Sequence, residues 1–124
     1  MNLKEKITAD CAKNIKEEIC GFIIKNENGF DIKPTTNKST DPENEFYIPS
    51  KEFLRIKRNE NLVAIYHSHI RGSARPSEFD KKTSELVCYP FVIFSTQENN
   101  FDMYKPEFLD AEEKDLKELE KELK

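Results

Sequence analysis

The chain has 124 residues, with 20 Lys and Arg against 24 Asp and Glu, a net charge of −4 and 36% apolar residues. That length suits one domain around one core and leaves no room for a second catalytic domain. Charges of both signs alternate without a basic block, which gives non-specific nucleic-acid binding little electrostatic support.

No apolar run approaches the ~20 residues of a membrane helix, and "MNLKEKITAD" lacks the apolar stretch of a signal peptide, so no membrane partner and a cytoplasmic location are expected. The three cysteines, Cys11, Cys20 and Cys88, are odd in number and contain no Cys-x-x-Cys pair. They read as buried reduced thiols, neither a disulfide framework nor an all-cysteine zinc site.

In chain order, Leu3, Ile7, Cys11 and Ile15 recur at every fourth position between charged residues, which predicts an amphipathic helix over about residues 2–16, lying on a sheet. "EICGFIIK" (18–25), the turn "NENG" (26–29) and "FDIK" (30–33) form a predicted hairpin. "PTTNKSTDPEN" (34–44) holds two prolines and no large apolar residue and reads as a loop, followed by a strand at "EFYI" (45–48). "PSKEFLRIKRNE" (49–60) reads as a helix burying Phe53, Leu54 and Ile56, and "NLVAIYHS" (61–68) as a central strand buried on both faces.

Beyond the loop "HIRGSARP", residues 77–88 are helical by pattern, with Phe79, Thr83, Leu86 and Val87 on one face. "YPFVIFS" (89–95) and "NFDMYKP" (100–106) are two further strands, and residues 110–124 are a strong helix former with Leu116, Leu119 and Leu123 along a narrow docking seam. The sum is five or six strands and three or four helices in α+β order.

Both histidines of the chain, His67 and His69, stand at the end of the predicted central strand. Side chains two apart on a strand point the same way, so the two imidazoles can converge on one point. Asp80 can add an oxygen ligand if the loop from Ile70 to Pro76 folds back, with Gly72 and Pro76 as its corners. Three protein ligands leave one tetrahedral position open to water, the pattern of catalytic zinc, and water held there ionises near neutral pH. A carboxylate must then move protons. Glu17 and Glu18 are both candidates, only one of which can face the metal, and periodicity does not choose between them. Ser77 and Asp80 also fit a Ser-x-x-acid capping box at a helix start, a role compatible with catalysis.

"HSH", seven residues, Ser77, two residues and Asp80, preceded by "EICG" at 18–21, resembles the JAMM motif of the JAB/MPN metalloprotease family. The likeness covers residues 1–106 and leaves 107–124 as a charged helix packed on the domain or extending from it. It implies an MPN/JAB, cytidine-deaminase-like fold, a mixed sheet flanked by helices in a nearly three-layer α/β arrangement. It also implies His67, His69 and Asp80 as zinc ligands, Glu18 as general base and Ser77 as hydrogen-bond donor to the oxyanion. Ser68, pointing away, keeps a structural role, and Gly21 permits close approach of backbone beside the site.

The activity so implied is hydrolysis of amide bonds, often the peptide or isopeptide bond after a ubiquitin-like Gly-Gly tail, with strand addition at a sheet edge holding the substrate extended. The compact spacings lack room for the insertions with which eukaryotic deubiquitinases grip ubiquitin. "AIYHSHIRGSARPSEFD", "CYPFVIFS" and "MYKP" are more similar to the prokaryotic and phage branch, whose members act on small sulfur-carrier proteins or belong to phage tail-tip proteins.

The competing reading is a non-catalytic scaffold of the same fold. A metal nuclease is disfavoured because Arg71 and Arg75 are the only basic residues in the loop, and they suit an acidic substrate flank or plain solvent as well. A zinc deaminase is disfavoured because its His-x-Glu and Pro-Cys-x-x-Cys elements do not occur.

Overall fold

The computed structural model describes residues 1–124, and its first helix, α1 (Leu3–Cys11), starts where Asn2 and Glu5 form a reciprocal capping box. The helix ends at Cys11, short of the expected residue 16. Asn14 accepts hydrogen bonds from the amides of Lys16 and Glu17 at 2.9 and 3.1 Å, and this Asx turn competes with further helix, leaving Ile15 65% exposed. β1 (Cys20–Asn26) and β2 (Gly29–Thr35) form the hairpin, closing through Asn26 opposite Gly29 with Gly29 at φ 110°.

Residues 36–49 contain no strand, contrary to the expectation for "EFYI". The segment pairs with none of the five strands of the sheet. Its backbone is tied instead to the Asn37 side chain, and the Lys38 amide donates to the Tyr47 carbonyl at 2.9 Å. α2 (Ser50–Asn59) buries Ile56 but leaves Leu54 40% exposed, because only a narrow stripe of this short helix touches the sheet.

β3 (Leu62–His69) is buried from Leu62 through Ser68. α3 (Glu78–Val87) then makes the crossover to β4 (Phe91–Ser95), which pairs parallel with β3. The expected apolar face of α3 is corrected: Asp80 and Ser84 point inward, while Leu86 is 83% exposed and Phe79 39%. The inner side of α3 is polar because its first turn serves the histidines and Ser84 donates to the Tyr89 carbonyl at 2.7 Å, beside Cys88 in the left-handed cap at φ 64°. β5 (Asn100–Tyr104) and α4 (Glu113–Glu122) complete the chain.

The sheet order is β2-β1-β3-β4-β5, antiparallel except for β3 with β4. It is the expected α+β fold, a mixed sheet flanked by helices. On one face Leu3, Ile7 and Cys11 of α1 and Leu116 and Leu119 of α4 pack on Ile23, Val63, Tyr66, Val92 and Phe94. On the other, Phe46 and Ile56 pack on Cys20, Phe22, Ile24, Ile65 and Phe91. β3 is central to both layers, so its end is a rigid platform. Lys25 ties α4 down through Asp115, at 3.2 Å, and Glu118.

Gly21 has a different use from the expected one. A Cβ there would sit 2.5 Å from the Tyr66 ring, so the close neighbour is a side chain, on the face away from the histidines. Tyr66 in turn donates to buried Asp10 at 2.6 Å. The cysteines are free, with Cys11 and Cys20 buried and pushed up to about 12 chiefly by burial, whereas Cys88 is half-exposed.

Candidate metal centre

Strand alternation brings the site together. Cys20 pairs with His67 across β1 and β3, and continuing that register past the end of β1 puts Glu18 opposite His69 on the same face. Glu18 is accordingly buried, 6% exposed, while Glu17 points to solvent and accepts from Asn14 at 3.3 Å. Ser68 faces the other way, accepting from the Ile19 amide at 2.8 Å, while its own amide donates to the Ile19 carbonyl at 2.9 Å. That double tie fixes the β3 end against the segment carrying Glu18.

Asp80 arrives from the first turn of α3. Ser77 caps this helix: its hydroxyl accepts from the Asp80 amide at 3.0 Å, and the Ser77 amide donates to Asp80 Oδ2 at 2.9 Å. The box aims the carboxylate at the histidines. Asp80 Oδ1 lies 2.9 Å from His67 Nε2 and Oδ2 lies 3.0 Å from His69 Nε2. Ligand atoms of the three residues all fall within 4.8 Å of one another. Donors bound at ~2.0 to 2.2 Å around one tetrahedral ion would stand ~3.3 Å apart, so the cluster has the span of a zinc site.

The donor set fits such an ion. His67 is fully buried between Phe46, stacked at 4.4 Å, and Phe91, edge-on at 5.6 Å, yet neither of its ring nitrogens has a well-directed hydrogen-bond partner. An orphaned buried imidazole is costly unless something occupies its lone pair. His69 Nδ1 lies 3.0 Å from the Ser73 carbonyl, so Nδ1 is the donor there, and the Nε2 lone pair is available to a metal that displaces the Asp80 Oδ2 contact. Burial holds the His67 pKa below its ordinary value and keeps the ring neutral. Burial pulls His69 down as well, but its hydrogen bonds with Asp80 and Ser73 outweigh that and raise it. For Asp80, burial acts upward and is overcome by the close His67 imidazole, 2.9 Å away, and by hydrogen bonds with His69 and Ser77, so the carboxylate is held well below the usual range.

Glu18 is the opposite case. Burial, opposed by His69 and reinforced by Asp80, Glu45 and Asp41, pushes its carboxyl up to about 8. It opens onto a small cleft of about 180 Å³ shared with Glu43, Asn44, His69, Ile70, Arg71 and Ser77. Arg71 lies at the rim and reaches Glu43 at 3.4 Å, an exposed pair of little energetic weight, and Arg75 is exposed. A larger groove of about 720 Å³, between α1, β5 and the end of α4, contains no histidine.

Sequence reasoning missed Phe46, Asn37 and Ser73. Phe46 stood in a predicted strand, and neither Asn37 in a polar loop nor the Ser73 carbonyl carries a spacing signal.

Mixed sheet, helical layers and a buried His-His-Asp cluster beside an acid define a JAB-type domain with a candidate metal site. The chain belongs to the prokaryotic homologs of the JAB domain, matching that family over residues 2–108. Tail tip assembly protein K of Escherichia phage N15 is 26% identical over 102 residues, which is 82% of this chain and 42% of that protein. The chain thus spans about two fifths of that relative's length.

Among solved structures, protein DSY2949 from Desulfitobacterium hafniense superposes with a TM-score of 0.59 at 20% identity, covering 87% of this chain and 88% of that one. A structure described as a metalloprotease-like zinc site in the proteasome and signalosome, JAMM, gives 0.52 at 19% identity, covering 90% of each. Both confirm the fold. None of the helices is long and apolar enough to cross a membrane.

Proposed function

We propose that this protein is a zinc-dependent peptidase or isopeptidase acting at the tail of a polypeptide, either a ubiquitin-like or small carrier protein or a phage tail-assembly polypeptide. The observation that carries the reading is the convergence of Glu18 and Ser77 on one cleft with His69, whose imidazole belongs to the His67, His69 and Asp80 cluster.

Zinc held by His67, His69 and Asp80 would supply Lewis acidity to the reaction. Glu18 takes a proton from the attacking water and returns it to the leaving amine, and its raised pKa brings it close to the range in which one group can do both. The Ser77 hydroxyl accepts from the Asp80 amide and keeps its own proton to donate toward the developing oxyanion. The small volume of the cleft, about 180 Å³, favours a segment of small residues such as a diglycine tail. Nucleic acid and membrane have no part in this reading.

The test is incubation of the zinc-loaded protein with ubiquitin-like proteins extended beyond Gly-Gly and with tail polypeptides, with and without a chelator. Glu18→Gln should abolish hydrolysis while retaining fold and metal; full activity in that variant means that the base is misassigned. A second reading, a non-catalytic assembly module, draws support from the relative whose name is tail tip assembly protein. Retained biological function in a His67→Ala/His69→Ala double variant would decide for it.

A further inference from the structure

Outside the cluster itself, one side chain makes all the hydrogen bonds its chemistry allows. The amide nitrogen of Asn37 donates to the carbonyls of Glu18 and Glu45, each at 3.0 Å. Its amide oxygen accepts from the backbone amides of Ser39 at 2.9 Å and Tyr47 at 3.0 Å. Two donors and two lone pairs are thereby matched, which also fixes the orientation of the amide. Asn37 stands in for the missing strand between the Glu18 segment and residues 45–47.

Both things it holds concern the site. On one side is the Glu18 backbone, whose amide also donates to the Pro42 carbonyl at 2.7 Å in the same loop. On the other are the neighbours of Phe46, which is stacked on His67 at 4.4 Å. Glu43 and Asn44, on the loop between these anchors, form part of the cleft wall.

We propose that Asn37 is a positioning residue which, through its four hydrogen bonds, sets the place of Glu18 and keeps Phe46 closed over His67. The proposal rests on the peptidase reading for its catalytic consequence, but not for its structural one. A group misplaced by even ~1 Å can cost 10²-fold in rate, so the effect on turnover should exceed the effect on folding.

The test uses the zinc-loaded full chain with Asn37→Asp, which keeps the acceptor but turns a carboxylate oxygen toward two carbonyls, and Asn37→Ala, which adds no charge. Three readouts are needed: hydrogen exchange by residue, the rate at which a chromophoric chelator strips zinc, and kcat separately from KM. Expected are at least 10-fold faster exchange at the amides of Glu18 and Tyr47 with the interiors of β3 and β4 unchanged, several-fold faster zinc loss as Phe46 uncovers His67, and a kcat reduced 10-fold or more at similar KM.

Unchanged exchange and zinc loss in Asn37→Ala would overturn the proposal, as would faster exchange spread evenly over the sheet, which marks a general loss of stability. If Asn37→Asp fails to fold, Asn37→Ala decides alone. If the parent protein cleaves nothing, the peptidase reading fails while exchange and zinc loss still decide the role of Asn37.

Discussion

Replacing Glu18 with Gln should stabilise the metal-free fold, and by more as pH rises. The unfolded chain releases this proton near 4.5 and the folded chain only near about 8. Between those values the folded state binds more protons, so the group's contribution to stability is complete below pH 4.5 and is lost as pH climbs through 8. At about 1.4 kcal/mol per pH step, the carboxyl costs the fold about 3 kcal/mol at pH 7 and approaches a ceiling near 5 kcal/mol by pH 9. Glu18 is 6% exposed but lines the cleft, so water there screens part of this cost.

A glutamine of the same shape carries no charge to desolvate. Urea denaturation of metal-free parent and Glu18→Gln proteins from pH 4 to 9 should therefore give curves that coincide at the acid end and diverge above pH 5. With zinc restored, the gap should shrink, because a nearby cation favours the carboxylate. A stability difference that is flat with pH, or a less stable Gln variant throughout, would refute the desolvation of Glu18 beyond what His69 offsets.

Ser77→Ala separates the two uses of one hydroxyl: loss of the cap should cost about 1 kcal/mol in chemical denaturation, while loss of an oxyanion donor should lower kcat by roughly 10² to 10³. Gly21→Ala drives a methyl into the Tyr66 ring at 2.5 Å and breaks the bond from Tyr66 to buried Asp10. The expected loss is roughly 3 kcal/mol or failure to fold, read from the urea midpoint. Leu119→Ala, at a fully buried position of α4, should cost about 2 to 5 kcal/mol. A change under ~0.5 kcal/mol by denaturation would show that α4 is not part of the cooperative unit.

Much of this was legible in the sequence because it follows local periodicity. The unbroken apolar run at 62–66 announced a strand buried on both faces, and His-x-His at its end announced a shared direction. Where competing local chemistry intervened, the reading failed. The i, i+4 pattern carried α1 through Ile15, but the Asn14 side chain captured the amides that a longer helix would have used. Leu86 fitted an apolar stripe, yet α3 turns by the needs of Asp80 and Ser84, and polar contacts leave no mark in a hydrophobicity pattern. Periodicity left Glu17 and Glu18 open and only the family resemblance picked Glu18; the physical reason, cross-strand register, is tertiary information. Phe46 acts on His67 and Asn37 on Glu18 across stretches of chain with no shared periodicity, and one sequence cannot reveal such pairings.

Anomalous diffraction at the zinc absorption edge, from crystals of the zinc-loaded protein, probes the metal centre most directly. One peak per chain is expected, ~2.0 to 2.2 Å from His67 Nε2, His69 Nε2 and one Asp80 oxygen, its fourth neighbour a solvent molecule within hydrogen-bonding reach of Glu18. No peak at this position, or a fourth corner filled by a side chain of the protein, would contradict a catalytic metal site.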